Sequence, residues 1–250
     1  MVDSHYVWAA TDVGCTRSEN EDRFRVGPHR GEGLTAAWRG VLSRAMPWVL
    51  VADGMGGHDA GEVASEVALS AIEAGLANVQ AVEDIVDLID TANLRVFESM
   101  YGHEGRPGMG STVVGALMMI KDRALIFNVG DSRAYRFFDG RLTQLSEDHS
   151  LGVSASGKRS PMLTQSLGGS LSRRPLNPVA LFADFPEGSE LLLCSDGLTD
   201  LLPDDEIAAI IVRNRQDPAN ALIRAARDAG GYDNITVAVV RPQRADVEIK

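Results

Sequence analysis

Two apolar segments of the chain each run into an Asp-Gly pair, Asp53 with Gly54 and Asp196 with Gly197. A single Asp-Gly pair is most simply explained as a turn, because both residues tolerate the backbone angles that turns require. The first pair is followed by Met-Gly-Gly, and glycine lets the backbone approach an ion or a phosphate closely. A carbonyl can then join the Asp carboxylate as an oxygen ligand. The two pairs therefore indicate cation sites at the ends of buried strands.

Four further acidic residues lie beside expected strands: Glu21, Asp22, Asp131 and Asp233. Carboxylates at strand ends are held by a rigid scaffold. A cluster of them repels and resists ionisation unless a cation compensates the charge. The available donors are oxygens, and the paired Cys or His spacing of a zinc site is absent from the sequence. Mg²⁺ or Mn²⁺ are therefore the expected ions.

The acidic residues depend on strands for their placement. Runs rich in β-branched residues predict seven strands, which are Tyr6–Asp12, Trp48–Ala52, Thr112–Ile120, Ala124–Val129, Ala134–Phe138, Leu191–Cys194 and Ile235–Val240. Asp139 and Gly140 stand between two apolar segments and form the preferred pair for a two-residue hairpin. The sheets are therefore expected to be at least partly antiparallel.

Four helices are predicted around these strands. Ala60–Leu76 alternates small and apolar residues without proline, and Ala81–Met100 places apolar residues three and four apart. A third helix opens at Pro203 with acidic residues in its first turn, and a fourth opens at Asp217 with Asp as its cap. Blocks of strands and pairs of helices favour an α+β fold of antiparallel sheets covered by helices. Because no linker or repeat is evident, residues 1–250 are expected to form one domain.

The chain carries a large excess of negative charge. Its 250 residues contain 35 Asp plus Glu and 24 Lys plus Arg, which gives a formal net charge of −11. This charge argues against binding to nucleic acid or to an anionic membrane surface. The two cysteines, Cys15 and Cys194, are too few for a disulfide framework, and Met1–Tyr6 does not resemble a signal peptide. A cytoplasmic location is expected, and the longest apolar stretch is too short for a membrane span.

An ordered set of motifs extends over residues 11–240. The motifs are Arg17, Asn20-Glu21-Asp22, Asp53-Gly54-Met55-Gly56-Gly57-His58 with Gly61-Glu62 and Ala64-Ser65, Gly110-Ser111-Thr112, Asn128-Val129-Gly130-Asp131-Ser132-Arg133, Asp148-His149-Ser150, Cys194-Ser195-Asp196-Gly197-Leu198 and Asp233-Asn234-Ile235-Thr236. One Asp-Gly pair is a weak signal, whereas this set is very specific. It resembles the metal-dependent protein phosphatase family, of the protein phosphatase 2C type in its bacterial form.

The resemblance implies a four-layer α-β-β-α sandwich, with two mainly antiparallel sheets flanked by helices, and a site for two Mn²⁺ or Mg²⁺ ions. By matching position, Asp53 bridges both ions. Glu21 and the Gly54 carbonyl hold one ion, and Asp196 with Asp233 holds the other. The family's pattern also allows a third, weaker ion.

The same resemblance assigns roles around the ions. Asp131 corresponds to a ligand of the third ion, Asp22 hydrogen-bonds metal waters, and Arg17 receives the substrate phosphate in a bidentate fork. The implied activity is a metal-dependent protein serine/threonine phosphatase, which hydrolyses the phosphomonoester by direct attack of a hydroxide that bridges the two ions. Phosphorylated proteins are the implied substrates, a bacterial serine/threonine kinase is the implied counterpart, and a monomer is expected.

The chain departs from some family members at the general acid. Met55 stands where those members carry a histidine, so a metal-bound water is expected to protonate the leaving group. His58 is the alternative candidate for this role. His149 is expected to be structural, and Cys194 to be a buried small hydrophobe rather than a nucleophile.

A segment near residues 150–166 is shorter than the flap of many relatives. The short segment has two possible interpretations. It forms an open rim of the site that offers Lys158 and Arg159 to acidic substrates, or it is only a solvated loop. The stretch Gly152–Lys158 also fits the start of a nucleotide-binding P-loop. Arg159 replaces the required Ser or Thr, however, and Pro161 disrupts the expected helix start, so the nucleotide-binding interpretation is rejected.

The alternative function is a non-catalytic, metal-binding module that recognises phosphoproteins. Such a protein would keep the metal cluster to bind a phosphorylated partner without hydrolysing it. Loss of a metal ligand would be its signature in the sequence, and every ligand position of the family pattern is filled here. The sequence therefore favours the enzyme.

Overall fold

The computed structural model describes residues 4–56, 60–102, 106–119, 122–152 and 162–243. These residues form strands and helices in alternating groups along the chain. The strands are β1 (Ser4–Asp12), β2 (Arg23–Val26), β3 (His29–Gly31), β4 (Thr35–Val41), β5 (Trp48–Ala52), β6 (Gly54–Met55), β7 (Gly110–Ser111), β8 (Val113–Met119), β9 (Arg123–Val129), β10 (Arg133–Phe138), β11 (Arg141–Gln144), β12 (Leu167–Gly168), β13 (Val179–Asp184), β14 (Glu190–Cys194) and β15 (Ile235–Gln243). The helices are α1 (Ala60–Leu76), α2 (Val82–Ser99), α3 (Asp196–Thr199), α4 (Asp204–Arg213) and α5 (Pro218–Asp228).

The strands form two large sheets and one small sheet. The first sheet has the order β11-β10-β14-β15-β1-β4, and the second has the order β13-β9-β8-β5-β2-β3. The small sheet has the order β12-β7-β6, and its strand β6 directly follows Asp53. Neighbouring strands in the described residues pair in the antiparallel sense. The predicted antiparallel pairing is therefore confirmed.

Each large sheet is buried on both faces, because successive side chains of a strand point to opposite sides. In β15, Val237 and Val239 pack against α3, α4 and α5, whereas Ala238 and Val240 face the second sheet. The strand β5 alternates in the same way between the first sheet and the pair α1 and α2. The predicted four-layer α-β-β-α sandwich is confirmed.

The seven predicted strands and four predicted helices are present, with small differences at their ends. Asp139 and Gly140 form the predicted hairpin turn, with φ angles of 49° and 74°. The strand β2 was not predicted because two arginines, Arg23 and Arg25, interrupt its apolar pattern although both are buried. The strands β4 and β13 lie at sheet edges, where partial exposure weakens the pattern that predicts a strand.

Arg25 fastens β2 to α1. Its side chain is fully buried, and Nη2 donates to both carboxylate oxygens of Glu66 at 2.6 Å. Glu73 and Arg30 extend the network, with Glu73 Oε2 lying 3.8 Å from Arg25 Nε. A buried guanidinium requires such partners because the loss of hydration is otherwise uncompensated. The helix α1 is thereby held against the strand that follows Glu21.

No helix in the described residues is long and apolar enough to cross a membrane. Cys15 is exposed, Cys194 is buried, and the two do not form a disulfide. Cys194 belongs to the core between the first sheet and its helices, and its Sγ lies 3.9 Å from the carbonyl oxygen of Arg133. Its burial agrees with the predicted role as a small hydrophobe.

Candidate metal centre

Antiparallel pairing brings the predicted acidic residues to one end of the sandwich. In the second sheet, Asp53 follows β5 and Asp22 precedes β2, and the last residue of β5 pairs with the first of β2. In the first sheet, Asp196 follows β14 and Asp233 precedes the neighbouring strand β15. The end of one antiparallel strand necessarily lies beside the start of its neighbour. We call the six acidic residues at this end of the sandwich the acidic cluster: Glu21, Asp22, Asp53, Asp131, Asp196 and Asp233.

Asp53 lies at the centre of the electrostatic interactions within the acidic cluster. Burial raises the pKa of its carboxyl group well above the usual value, and the charges of four other acidic side chains raise it further. These side chains are Asp22, Asp196, Asp233 and Asp131. The backbone N–H of Asp53 donates to Thr112 Oγ1 at 3.1 Å, which fixes the residue at the end of β5. Carboxylates this close favour a bound cation, because like charges oppose ionisation.

Asp22 is completely buried and is held by a hydroxyl group. Ser195 Oγ donates to Asp22 Oδ2 at 2.7 Å, and the same Oγ accepts the backbone N–H of Thr236 at 2.9 Å. The other carboxylate oxygen, Oδ1, is buried without a hydrogen-bond partner among the described residues. Burial raises the pKa of Asp22 to about 7. An unpartnered, buried carboxylate oxygen calls for a cation or an ordered water nearby.

Asp196 shares this environment at the start of α3. Burial raises its pKa to about 8, with further contributions from the charges of Asp131, Asp200 and Asp233, and a hydrogen bond with Asp53 opposes part of the increase. Asp131 is itself only 7% exposed and follows β9 in the second sheet. The acidic cluster therefore spans the two large sheets.

Glu21 is held against the first turn of α1. Its Oε1 accepts the backbone N–H of Gly61 at 3.1 Å, and Ser65 Oγ donates to its carbonyl oxygen at 2.6 Å. Only glycine fits at this contact, because a Cβ on Gly61 would lie 2.3 Å from Glu21 Oε1, and one on Gly54 would lie 2.1 Å from the Gly61 carbonyl oxygen. Half-burial raises the pKa of Glu21. The close approach places Gly54 beside Glu21, as the two predicted ligands of one ion require.

Arg17 is the cation closest to the acidic cluster among the predicted site residues. Its Nη2 donates to Asp233 Oδ2 at 2.8 Å, and its side chain is 53% exposed. This hydrogen bond raises the pKa of the Arg17 guanidinium, with smaller contributions from the charges of Glu21 and Asp53. An exposed arginine at the rim of the cluster is available to an anion that arrives from solvent.

The donor set fits Mg²⁺ or Mn²⁺ in its chemistry. It consists of carboxylate oxygens with the Gly54 carbonyl nearby, which are the ligands that hard cations prefer. A bound cation would stabilise the ionised form of Asp53, whose pKa is raised, and would give Asp22 Oδ1 a partner. In the part of the chain that the structure describes, no three Asp, Glu, His or Cys side chains yet converge closely enough to hold an ion. The ion pair of Arg17 with Asp233 and the hydrogen bond between Asp53 and Asp196 occupy oxygens that would otherwise face a cation.

Several predicted features lie apart from the acidic cluster or outside the described residues. His58, Lys158 and Arg159 fall outside the described residues, as does most of the P-loop-like stretch. His149 is buried, its Nδ1 accepts the backbone N–H of Gly130 at 3.1 Å, and burial lowers its pKa. These contacts agree with a structural role for His149.

The side chains that hold the acidic cluster in place were not predicted. Ser195, Thr236, Ser65 and Asn234 all occur within the recognised motifs, but the sequence assigned them no partner. The hydrogen bond from Ser195 to Asp22 joins residues 173 apart, and the one from Glu21 to Asn234 joins residues 213 apart. Their position beside acidic residues was the only available signal.

Comparisons with known proteins agree with this geometry. A family model described as protein phosphatase 2C matches residues 35–227. A serine/threonine phosphatase stp of Listeria welshimeri is 33% identical over 251 residues, which cover 92% of this chain and 93% of that protein. The Mycobacterium tuberculosis serine/threonine phosphatase PstP/Ppp has a similar structure, with a TM-score of 0.78 and 26% identity over 96% of this chain and 100% of that one. The catalytic domain of PstP in complex with two manganese ions has a TM-score of 0.75 and 28% identity, over 95% of this chain and 98% of that one.

Proposed function

Because this chain belongs to the protein phosphatase 2C family and is a protein serine/threonine phosphatase, we propose that it hydrolyses phosphoserine and phosphothreonine with divalent ions held by the acidic cluster. The observation that carries the proposal is the raised pKa of Asp53, which reports four further carboxylates around it. Manganese in the related PstP catalytic domain supports Mn²⁺ as one suitable ion. Mg²⁺ has the same preference for oxygen ligands.

We assign the ligands by the positions of the side chains. Asp53 interacts with both halves of the acidic cluster and is assigned to both ions. Glu21 and the Gly54 carbonyl adjoin each other at α1 and are assigned to one ion, and Asp196 and Asp233 are assigned to the other. Bound ions would lower the pKa of the attacking water and neutralise the phosphoryl oxygens.

Other residues of this chain then bind the substrate phosphate, hold ordered water and protonate the leaving oxygen. Arg17 exchanges its partner Asp233 for the phosphate of the substrate, to which a guanidinium donates two parallel hydrogen bonds. Asp22 remains buried with Ser195 and directs its free Oδ1 toward ordered water. Asp131, whose charge acts on Asp196, is assigned to the third, weaker ion. His58 stays the candidate among the side chains for protonating the departing seryl or threonyl oxygen.

We further propose the cellular setting that the sequence predicts. Residues 1–250 form one catalytic domain that acts as a monomer in the bacterial cytoplasm, where it opposes a serine/threonine kinase. Two cysteines that do not form a disulfide are compatible with a reducing compartment. The described ends of the flap segment are joined by backbone hydrogen bonds from the N–H of Leu151 to Met162 and from the N–H of Thr164 to His149.

The test compares two Asp→Asn substitutions at Asp-Gly pairs. Asp53→Asn removes the central carboxylate of the acidic cluster, whereas Asp139→Asn alters a hairpin turn at the far end of β10. The measurement is hydrolysis of p-nitrophenyl phosphate and of a phosphothreonine peptide, with Mn²⁺, with Mg²⁺ and with EDTA. We expect Asp53→Asn to lose about a hundred- to a thousandfold in kcat, and Asp139→Asn to keep the wild-type rate.

Two outcomes would contradict the proposal. Hydrolysis that persists in EDTA would remove the metal dependence, and an active Asp53→Asn variant would remove the central role of that residue. Tight binding of the phosphopeptide with no turnover at saturating Mn²⁺ would instead favour the non-catalytic recognition module.

A further inference from the structure

The loop between β1 and β2 carries three of the predicted site residues but has no helix or strand of its own. It extends over residues 13–22 and includes Arg17, Glu21 and Asp22. A segment without regular backbone hydrogen bonds must take its position from contacts with other parts of the protein. The ion pair of Arg17 with Asp233 is too exposed to fix the loop by itself.

Asn234 supplies three hydrogen bonds to this loop. Its Oδ1 accepts the backbone N–H of Glu21 at 2.8 Å, and its Nδ2 donates to the carbonyl oxygens of Glu19 and Val13 at 2.9 and 3.1 Å. The residue is 5% exposed. Both ends of the loop are therefore tied to one buried amide, and every partner is a backbone group.

Asn234 is itself fixed between the two ligands of the opposite half of the acidic cluster. Its backbone N–H donates to Asp233 Oδ1 at 2.9 Å. Its carbonyl oxygen packs on Gly197, where an added Cβ would lie 2.0 Å away, and Gly197 directly follows Asp196. The amide thus connects a rigid strand start to an irregular loop.

Several other contacts also hold the loop, and one of them, from Ser195 Oγ to Asp22 Oδ2 at 2.7 Å, acts on the side chain next to Glu21 rather than on its backbone. Cys15 N–H donates to the Gly231 carbonyl at 2.7 Å, and Asn20 Nδ2 donates to Thr11 Oγ1 at 2.9 Å. These contacts fasten the early part of the loop and its side toward β1. Of the contacts described, the one between Asn234 Oδ1 and Glu21 N–H ties the backbone of Glu21 to the residue next to Asp233.

We propose that Asn234 is a positioning residue that sets the separation between the Arg17–Glu21 side and the Asp196–Asp233 side of the acidic cluster. The inference rests on the proposed function, because it assigns these two sides to different ions. Without the amide, Glu21 keeps its contacts with α1, and Asp22 keeps Ser195, but the backbone of Glu21 loses its direct link to the residue next to Asp233. The chain then folds, while the two halves of the site move relative to each other.

The experiment compares Asn234→Ala with a matched control, Asn93→Ala. Asn93 is equally buried, at 2% exposure, and its amide also bridges separate segments through hydrogen bonds to Arg174 and Gly168. It lies on α2 and contacts none of the predicted ligands. Both variants lose buried hydrogen bonds, so both are expected to be less stable than the wild type. Only Asn234→Ala should change the site.

Three readouts distinguish the variants. Hydrogen exchange of the peptide that contains Glu21 should accelerate at least about tenfold in Asn234→Ala, because its amide loses its acceptor. Calorimetric titration should show Mn²⁺ binding weakened by about tenfold or more, which is the usual effect of losing a partner that orients metal ligands. At saturating Mn²⁺, KM for a phosphopeptide should rise more than kcat falls, because Arg17 is displaced. Asn93→Ala should match the wild type in all three.

The first two readouts do not depend on turnover, so they decide the inference even if the wild-type protein hydrolyses nothing. Equal behaviour of the two variants would overturn it, and so would faster exchange with unchanged Mn²⁺ affinity. Should Asn234→Ala fail to fold, the same three measurements are made on Asn234→Ser, and the same changes are expected. The shorter serine side chain keeps a polar group but cannot reach all three backbone partners.

Discussion

At the scale of single residues, the acidic cluster depends on uncharged neighbours as much as on its carboxylates. Hydroxyl groups of Ser195 and Thr236 act on the Asp22 carboxylate, while its Oδ1 has no partner among the described residues. A buried acid in this position costs free energy unless its donors stay in place. Ser195 also accepts from Thr236, so one hydroxyl links the loop before β2 to the start of β15.

Ser195→Ala should destabilise the protein by about 2–4 kcal/mol, because it removes a buried donor to Asp22 Oδ2 and leaves the Thr236 N–H without its acceptor. Urea unfolding at neutral pH measures this loss. Ser189→Ala is the control, because Ser189 is equally buried but bonds only to the nearby carbonyl of Pro186. It should cost about 1 kcal/mol. Equal losses in the two variants would show that Ser195 does not support Asp22.

At the scale of elements, α1 does more than cover the second sheet. Its first turn offers the Gly61 N–H to Glu21, and its middle is bound to β2 through Glu66 and Arg25. The helix was predicted with its observed ends, because small and apolar residues alternate over its whole length. Its contact with Glu21 was not predicted, because the sequence pattern does not show which backbone groups approach each other.

Gly61→Ala tests the close approach at α1. Alanine is the better helix former by about 1 kcal/mol, but its Cβ would lie 2.3 Å from Glu21 Oε1 and must displace that carboxylate. We expect Mn²⁺ affinity, measured by calorimetry, to fall by about tenfold. Gly75→Ala in the same helix is the control, since its Cβ meets only the flexible end of Leu88. A variant Gly61→Ala that binds Mn²⁺ like the wild type would refute the assignment of Glu21.

The sequence predicts the elements that are strongly patterned and the residues that belong to a specific motif. The strand β5 and the residue Asp53 that follows it illustrate both cases. The edge strands β4 and β13 were missed because a half-exposed strand lacks a clear apolar alternation. The roles of Ser195 and Asn234 could not be predicted because their partners lie 173 and 213 residues away, and only the folded chain brings them together.

At the scale of the whole molecule, the net charge of −11 combines two populations of acidic residues. Many of the described ones are exposed to solvent, such as Asp204 and Asp205 at the start of α4. The acidic cluster is different, because its members raise one another's pKa. A formal count therefore misrepresents the site, because cations bound there would reverse the local charge and admit an anionic phosphate.

Stability in EDTA should fall as the pH rises from about 7 to 9. The folded chain holds protons on Asp22 and Asp196, with pKa values of about 7 and about 8, whereas the unfolded chain releases them near their usual values of 3.8. A group whose pKa is raised by folding loses its stabilising contribution as the pH passes through the folded value. The half-buried His5 and the buried His149 have lowered pKa values and are neutral throughout this range.

Urea unfolding at both pH values, with EDTA and with saturating Mn²⁺, measures this effect. Mn²⁺ should raise the free energy of unfolding and flatten its pH dependence, because the ions compensate the carboxylate charges. The double variant Asp53→Asn with Asp196→Asn is the control, and it should show a smaller pH dependence in EDTA. An identical slope with and without Mn²⁺ would argue that the carboxylates do not share a cation.

The most direct test of the account is an anomalous scattering map from crystals of this protein grown with Mn²⁺. We expect two manganese peaks at the acidic cluster with Asp53 contacting both, Glu21 and the Gly54 carbonyl at one, and Asp196 and Asp233 at the other. Absence of manganese from the cluster, or peaks whose ligands exclude Asp53, would contradict the proposed metal centre.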